Sequence, residues 1–347
     1  MAAADLTIDL DAIIANWRAL DAVSAAHVTT GAVVKADGYG LGAGAVAMAL
    51  HRAGVDSFFV ALAEEGATLR KTLGPEPEIF VFSGHMVGDD KLLREFDLVP
   101  LLNSVEQIER QFKALPGKPF GVQLDTGMNR LGLEPDDFTH LRNELMAKGP
   151  RLLMSHLASA DEAEHPQNVA QLAAFRRLTD GLACRRSLAA TGGMLLGSAY
   201  HFDLCRPGIG LYGGSPFAAA KPVVRLSLPV IQCRDVLIGE TVGYNATWTA
   251  TRPSRIATLS AGYADGLIRA IGGAAKIWAE DRPCPLVGRV SMDLIGVDVT
   301  GLAADPERLD ILGPVQGIDR LAAAAGTIGY EILTSLGARY NRVYIGG

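Results

Sequence analysis

Five predicted strands end in side chains that could take part in catalysis. Lys35 follows the apolar run 31–34, where a buried ammonium would be costly unless it is paired, solvated or converted to another group. A lysine that loses its proton through partial burial can form a Schiff base with an aldehyde cofactor. Lys35 alone would more often be a solvated surface lysine. The other strand-end groups are an acid, an imidazole, a hydroxyl and a guanidinium: Asp125, His156, Thr191 and Arg206.

A repeating pattern of strands and helices positions these groups. Eight short apolar runs alternate with Ala- and Leu-rich helical stretches, at 31–35, 57–62, 78–83, 97–102, 120–126, 151–157, 186–191 and 200–208. Strands that are apolar throughout are typical of parallel sheets covered on both faces, so the pattern predicts a (β/α)8 TIM-type barrel of the α/β class. Because barrel enzymes form their active sites from the loops after the strands, the five groups should lie at one face.

Beyond residue 220 the pattern changes to short strands that are separated by turn residues. These segments predict a C-terminal, mainly β domain, with a helix over 319–336 near its end. We therefore expect two domains, a cofactor-binding barrel at 1–220 and a β domain at 221–347.

Several motifs resemble those of one enzyme family. The stretch from Val33 to Gly40, VVKADGYG, closely resembles the pyridoxal-phosphate attachment motif of alanine racemases. Further family motifs follow in the family's order: DTGMNRLG, SHLASAD, HFDLCRPGIGLYG, VGYNATWTA, AGYADG and GRVSMD. The resemblance covers nearly the whole chain. It implies an isomerase that uses pyridoxal 5'-phosphate to interconvert L- and D-alanine.

The resemblance also implies a two-base mechanism. Lys35 matches the residue that holds the cofactor and acts as the base on one face of the substrate. Tyr244 matches the second base, on the opposite face; racemisation needs both, because a proton removed from one side must be supplied from the other. Arg206 matches the residue facing the pyridine nitrogen. Since arginine does not readily release its proton, it would leave the ring unprotonated, which disfavours transamination.

Other matches concern cofactor and substrate binding. Those near the cofactor supply hydroxyls, backbone N–H groups and an imidazole: Tyr39, His156, Thr191, Gly208 and Ile209. His156 would orient Arg206 by a hydrogen bond. Arg130 and the backbone N–H of Met292 match the groups that bind the substrate carboxylate, and Asp293 would help to place Tyr244. The corridor through which substrate enters is matched by Tyr263, Arg269 and Arg289.

The sequence departs from the family pattern at three places. Gln123 stands where many members carry a lysine, often carbamylated, that braces the substrate-binding arginine. Ala190 replaces the commoner asparagine before Thr191, which removes one cofactor contact. The C-terminal segment does not present a tyrosine at the expected phosphate position, where Tyr340 is a possible substitute.

Composition and charge limit the partners. A formal net charge of −6 and a pI near 5.7 leave no basic face for nucleic acid or an anionic membrane. No secretion signal or apolar run of membrane-spanning length is evident, so we expect a cytoplasmic protein. The four cysteines lack metal-site spacing, and no metal is expected. The resemblance implies a homodimer whose β domains complete the partner's active sites.

Three other functions would use the same fold or the same cofactor. A racemase with a broader substrate range differs only in pocket volume, which the sequence does not reveal. A decarboxylase of the same fold is disfavoured by Arg206, since that chemistry needs an acidic partner for the ring. A non-catalytic carrier of pyridoxal phosphate would need neither Tyr244 nor the second domain.

Overall fold

The chain forms two compact units in the computed structural model, which describes residues 4–347. One unit is Ile13–Ala220, and the other combines the described residues up to Ala12 with Lys221–Gly346.

The first unit is a parallel barrel. Its strands are Thr29–Thr30 continuing as Ala32–Val33, then Ser57–Val60, Glu78–Val81, Val99–Leu102, Gly121–Gln123, Leu153–Met154, Arg186–Ser187 and Leu204–Cys205. Neighbours from Ala32–Val33 to Arg186–Ser187 pair in parallel in chain order. Leu204–Cys205 then pairs in parallel with Thr29–Thr30, and on its other side the Arg206 N–H donates to the Ala189 carbonyl at 2.9 Å. The predicted (β/α)8 barrel is thus confirmed.

Helices alternate with the barrel strands, and several begin at recognisable signals. They are Leu10–Asp21, Lys35–Tyr39, Ala43–Arg52, Ala63–Leu73, Asp90–Glu95, Val105–Ala114, Pro135–Ala147, Pro166–Thr179 and Thr191–Leu195, with 3-10 turns at Ser198–Tyr200 and Ile209–Tyr212. Asp9 caps the first helix, since its Oδ1 accepts from the Ala12 N–H at 2.8 Å. Two helices begin with proline, whose fixed φ suits that position. Between strands, stacked aromatic rings fill the core: Phe59 stacks on Phe80 with ring centroids 4.9 Å apart.

The second unit is mainly β, as predicted. Its strands are Asp5–Asp9, Val224–Val236, Thr241–Val242, Trp248–Thr249, Ser254–Leu259, Lys276–Ala279, Arg282–Val287, Ile295–Asp298, Arg308–Leu312 and Asn341–Ile345. Short helical segments are Tyr244–Ala246, Tyr263–Asp265, Arg269–Ile271, Ile318–Ala325 and Gly329–Thr334. The long strand Val224–Val236 pairs antiparallel with Ser254–Leu259 and Arg308–Leu312. The helix expected over 319–336 is two helices, because Gly326 at φ 69° ends the first.

The N-terminal strand departs from the predicted division at residue 220. Asp5–Asp9 pairs antiparallel with Val224–Val236 and parallel with Asn341–Ile345, so it belongs to the sheet of the C-terminal unit and not to the barrel. Leu6 and Ile8 are fully buried in that sheet. Local sequence could not show this, because the partner strands are more than 200 residues away in the chain. Residues 1–3, which the prediction also assigned to the barrel domain, lie outside the described residues.

Residues 4–347 include no helix that is both long and apolar enough to cross a membrane. Within the same range, no three His, Cys, Asp or Glu side chains are grouped to hold a metal ion. The four cysteines are free thiols: Cys184, Cys205, Cys233 and Cys284.

Candidate active site

Lys35 is half-buried where the first barrel strand ends. Its Nζ lies 5.7 Å from the centroid of the Phe82 ring. Burial is the main cause of a lowered pKa for Lys35; the charge of Arg130 lowers this pKa further, and Glu65 acts in the opposite direction. A larger fraction of the amine is therefore neutral at a given pH than for a solvated lysine, which favours its use as a nucleophile or a base.

The chain after Lys35 takes a left-handed turn. Ala36, Asp37, Gly38 and Tyr39 have φ angles of 53°, 53°, 64° and 57°. A left-handed conformation costs roughly 1–2 kcal/mol for each residue that is not glycine, so the turn must be held by its surroundings. Hydrogen bonds do so: the Gly38 N–H donates to the Val34 carbonyl at 2.9 Å, and the Ala43 N–H donates to Asp37 Oδ1 at 2.8 Å. The turn fixes the direction in which the chain leaves Lys35.

Arg206 is a buried cation at the end of the last barrel strand. Its side chain is held by Nη1, which donates to Ser187 Oγ, and by Nη2, which donates to the Ser155 carbonyl at 2.9 Å. The residue is only 1% exposed, and burial lowers the pKa of Arg206 to about 10. Within the described part of the chain no carboxylate forms an ion pair with it. Arg206 therefore stays protonated at neutral pH and can only donate hydrogen bonds.

His156 lies beside Arg206 and is neutral. Its Nδ1 is 3.5 Å from Arg206 Nη2, the long limit for a hydrogen bond. Burial, followed by the charges of Arg206, Arg130 and Lys35, lowers the pKa of His156 to about 3. A neutral imidazole can accept a hydrogen bond from the guanidinium.

Thr191 and the chain from Gly208 to Gly210 form a tight cradle. Thr191 Oγ1 accepts from the N–H groups of Gly208 and Gly210 at 3.1 and 3.2 Å. A Cβ on Gly208 would overlap the Tyr39 hydroxyl. The N–H of Ile209 opens the turn Ile209–Tyr212, and the first N–H groups of a helix lack intrahelical acceptors. Hydroxyls and backbone N–H groups in this arrangement are suited to a phosphate.

The side chains of Gln123 and Asp125 hold the loop that carries Arg130 by hydrogen bonds to its backbone. Gln123 is only 5% exposed, and its Nε2 donates to the Leu131 carbonyl at 3.2 Å. Asp125 Oδ1 accepts from the N–H groups of Gly127 and Met128 at 2.7 and 2.9 Å. The exposed Arg130 guanidinium is thus presented by a loop whose ends are fixed, and the glutamine that replaces the family's lysine takes part in fixing it.

Within the C-terminal unit, the matched residues occupy neighbouring loops. The Tyr263 N–H donates to the Ser291 carbonyl at 3.0 Å, and the Ala264 N–H donates to the Met292 carbonyl at 2.9 Å. A Cβ on Gly243, next to Tyr244, would lie 3.4 Å from the Arg289 N. The turn that contains Arg269 runs into Gly272, whose Cβ would lie 3.5 Å from the Gly288 carbonyl. Tyr244 is 68% exposed, Met292 53% and Tyr263 45%.

Arg339 ties two of these loops together. Its Nε donates to Asp265 Oδ1 at 2.6 Å, and its Nη1 donates to Asp293 Oδ1 at 2.8 Å. Asp293, which the sequence assigned to placing Tyr244, is thus engaged with Arg339. Tyr340 is buried, and among the described residues its hydroxyl has no hydrogen-bond partner.

Sequence reasoning missed the residues that hold the matched ones in place, including Ser155, Ser187 and Arg339. Glu65 was missed too, although a signal for it exists. It is the third residue of the helix Ala63–Leu73, where a glutamate commonly bonds back to the helix start. The partners of the serines and of Arg339 are 46 to 74 residues away or belong to other strands, which no local pattern reveals.

Family models match the two parts of the chain in order. The alanine racemase N-terminal domain matches residues 8–216, and the alanine racemase C-terminal domain matches residues 223–344. The alanine racemase of Dinoroseobacter shibae is 64% identical over 347 residues, covering 100% of this chain and 99% of that protein. That of Cereibacter sphaeroides is 64% identical over 99% of both chains.

Solved structures of similar proteins have the same fold. A crystal structure of alanine racemase from Bartonella henselae with covalently bound pyridoxal phosphate superposes with a TM-score of 0.94 at 39% identity, covering 99% of this chain and 100% of that one. The biosynthetic alanine racemase from Pseudomonas aeruginosa superposes with a TM-score of 0.93 at 37% identity over 100% of both chains.

Proposed function

Because the chain belongs to the alanine racemase family and is therefore an isomerase, we propose that Lys35 and Tyr244 are the two bases in its racemisation of alanine, with pyridoxal 5'-phosphate attached to Lys35. The observation that carries the proposal is the environment of Lys35. Burial and the charge of Arg130 lower the pKa of its amine, and the side chain stands at the end of a barrel strand, where barrel enzymes place their catalytic groups.

The residues of the barrel fit the cofactor. Lys35 offers an amine to the aldehyde, and Arg206 offers a buried guanidinium to the ring nitrogen. Thr191 Oγ1 accepts from the N–H groups of Gly208 and Gly210, so the cradle would offer the Thr191 hydroxyl proton and the Ile209 N–H to the phosphate. The cradle has no room for a Cβ at Gly208. When bound, pyridoxal phosphate supplies an electron sink that stabilises the negative charge left by removal of the α-proton. The Bartonella henselae relative, described with the same cofactor covalently bound, supports this assignment.

Each side chain then has a defined task. Lys35 Nζ would take or return the α-proton on one face, and the Tyr244 hydroxyl would do so on the other. Arg130 and the Met292 N–H would bind the substrate carboxylate. Arg206 can donate hydrogen bonds but cannot accept them, so it would hold the ring nitrogen as an acceptor and would not supply it with a proton.

We propose further that Tyr244 acts in the barrel of a second subunit. Tyr244, Met292 and Tyr263 expose large apolar surfaces on the C-terminal unit, and clustered exposure of this kind marks interaction surfaces.

Sedimentation should show a homodimer. Mixing Lys35→Ala and Tyr244→Phe subunits gives heterodimers with one intact pair of bases, so about a quarter of the parental activity should return if the bases come from different chains. If both bases come from one chain, no activity will return.

The central test combines turnover with the position of the cofactor. L-alanine incubated with the protein and pyridoxal phosphate should approach an equal mixture of the two enantiomers in chiral analysis. Reduction with borohydride and peptide mapping should locate the cofactor on Lys35. Racemisation with the cofactor at another lysine would overturn the assignment of the bases. If the cofactor is on Lys35 but alanine is not racemised, the assignment of alanine as the substrate is wrong.

For its cellular role, we propose that the enzyme supplies D-alanine for cell-wall peptidoglycan from the alanine pool of the cytoplasm. The likeness to the biosynthetic alanine racemase of Pseudomonas aeruginosa supports this role over alanine catabolism. Expression in a bacterium that depends on added D-alanine should remove that dependence, and cell fractionation should recover the activity with cytoplasmic markers. A strain that still needs D-alanine, while its extracts racemise alanine, would favour the catabolic role.

A further inference from the structure

We propose that Glu65 is a positioning residue that fixes the chain at Lys35 and thereby sets how readily Lys35 attaches the cofactor. The inference rests on the proposed attachment of pyridoxal phosphate to Lys35. Glu65 lies on a different strand–helix unit of the barrel and is not among the residues that would touch cofactor or substrate.

The carboxylate of Glu65 bridges two strand ends. Its Oε1 accepts from the N–H of Ala36, the residue that follows Lys35, at 2.7 Å. Its Oε2 accepts from the N–H groups of Ala61 and Leu62 at 2.7 and 3.2 Å. One half-buried side chain thus holds the start of its own helix and the chain next to Lys35.

The bond to Ala36 falls at the start of the left-handed turn. Ala36 is the first residue of the left-handed turn, with φ 53°, and strained conformations persist only where the surroundings impose them. The Gly38 N–H holds the turn from the other side by donating to the Val34 carbonyl. Without the carboxylate the Ala36 peptide would lose its acceptor, and Lys35 would leave the strand in a less defined direction.

Glu65 also acts on the charge of Lys35. The groups that act on this ammonium are Arg130 and Glu65, and the carboxylate raises the pKa of Lys35 while burial and Arg130 lower it. Attachment of an aldehyde needs the neutral amine. Loss of the carboxylate should therefore move the pH at which half of the cofactor attaches to a lower value.

A glutamine cannot replace this carboxylate. Three N–H donors point at its two oxygens, whereas a carboxamide has one oxygen and an NH2 group that would face a donor on one side. Glu65→Gln must lose either the bond to Ala36 or the bonds to Ala61 and Leu62. The matched control is Glu64→Gln, which makes the same change of charge in the same helical turn at an exposed side chain.

The experiment measures pyridoxal phosphate attachment by absorbance across a pH series, in the full-length parent and both variants. For Glu65→Gln, we expect about tenfold weaker binding well above the midpoint pH, and a midpoint that falls by about half a pH unit or more. Glu64→Gln should match the parent in both. Glu65→Asp retains the negative charge on a shorter side chain. Its midpoint pH should therefore lie closer to the parental value than its affinity for pyridoxal phosphate does.

Parental affinity and midpoint in Glu65→Gln would overturn the inference and leave the proposed function intact. A parent that binds no cofactor at Lys35 would overturn both. If Glu65→Gln does not fold, Glu65→Asp decides, since parental affinity in that shortened variant would show that the bridge to Ala36 has no effect.

Discussion

The two groups of site residues are held in place in different ways. In the barrel, Arg206 and Thr191 are buried and bonded to neighbouring strands and turns. In the C-terminal unit, Tyr244, Met292 and Tyr263 are exposed, and hydrogen bonds between loops fix the backbone at Met292 and Tyr263. The barrel group therefore has its working geometry within one unit, whereas the exposed side chains gain a defined environment only when another surface covers them.

The division between buried and exposed groups suits two different tasks. A buried network suits a group that must hold a cofactor in one orientation, because each side chain has few alternatives. Exposed side chains on a fixed backbone suit residues that complete a site upon assembly. If the division is real, changes in the barrel should alter stability and cofactor binding, and changes at Tyr244 should alter turnover alone.

The largest expected effect is at Tyr244. Tyr244→Phe should reduce racemisation by about 10²- to 10⁴-fold, the range for loss of a general acid or base, because the remaining base serves only one face. Cofactor absorbance and melting temperature should stay at parental values, since Tyr244 is 68% exposed within its own chain and the ring is kept in the variant. A variant that loses its cofactor as well would break the division described above.

Ser187 should affect stability instead. Ser187→Ala removes the acceptor of Arg206 Nη1 and the donor to the Leu204 carbonyl, and loss of a buried bond to a charged group costs up to about 3 kcal/mol. We expect a clear fall in melting temperature, with Ser198→Ala, at an exposed serine, as the control. Equal melting temperatures in both variants would mean that packing and the bond to the Ser155 carbonyl are enough to hold Arg206.

His156 should make stability depend on pH. Its pKa is about 3 in the folded chain and about 6.5 when unfolded, so between these values the unfolded chain binds the extra proton and stability rises with pH. From pH 6.5 down to 5 this should cost about 2 kcal/mol. Melting temperatures at pH 5 and 7 should differ less in His156→Gln than in the parent. An equal difference would show that other groups cause the acid sensitivity.

The smallest expected effect is at Gln123. Gln123→Met keeps the volume but removes the bond to the Leu131 carbonyl, which is worth about 1 kcal/mol for neutral partners. The loop of Arg130 should loosen, so KM for alanine should rise about two- to tenfold with little change in kcat. Cofactor affinity serves as the internal control, and an unchanged KM would assign the bracing to Asp125 alone.

The sequence predicted the barrel and the types of groups at its strand ends, because periodic apolar runs and strand-end residues are local signals. It did not predict that Asp5–Asp9 joins the C-terminal sheet, nor that Ser187, Glu65 and Arg339 hold the matched residues. Those contacts join segments far apart in the chain, and their side chains are of types common in any loop or helix. The motif resemblance supplied Met292 and also Tyr244, which position alone would have assigned to packing.

The pairing of Asp5–Asp9 with Asn341–Ile345 also bears on synthesis. Asp5–Asp9 lies beside Asn341–Ile345, so the C-terminal sheet cannot be completed until residue 345 has left the ribosome. Ile13–Ala220 contains all the barrel strands and can fold earlier, since domains generally fold as units during synthesis. Until Asn341–Ile345 has been made, an edge of Asp5–Asp9 stays open to pairing with other chains, and a stalled ribosome would leave a folded barrel with an aggregation-prone strand at residues 5–9.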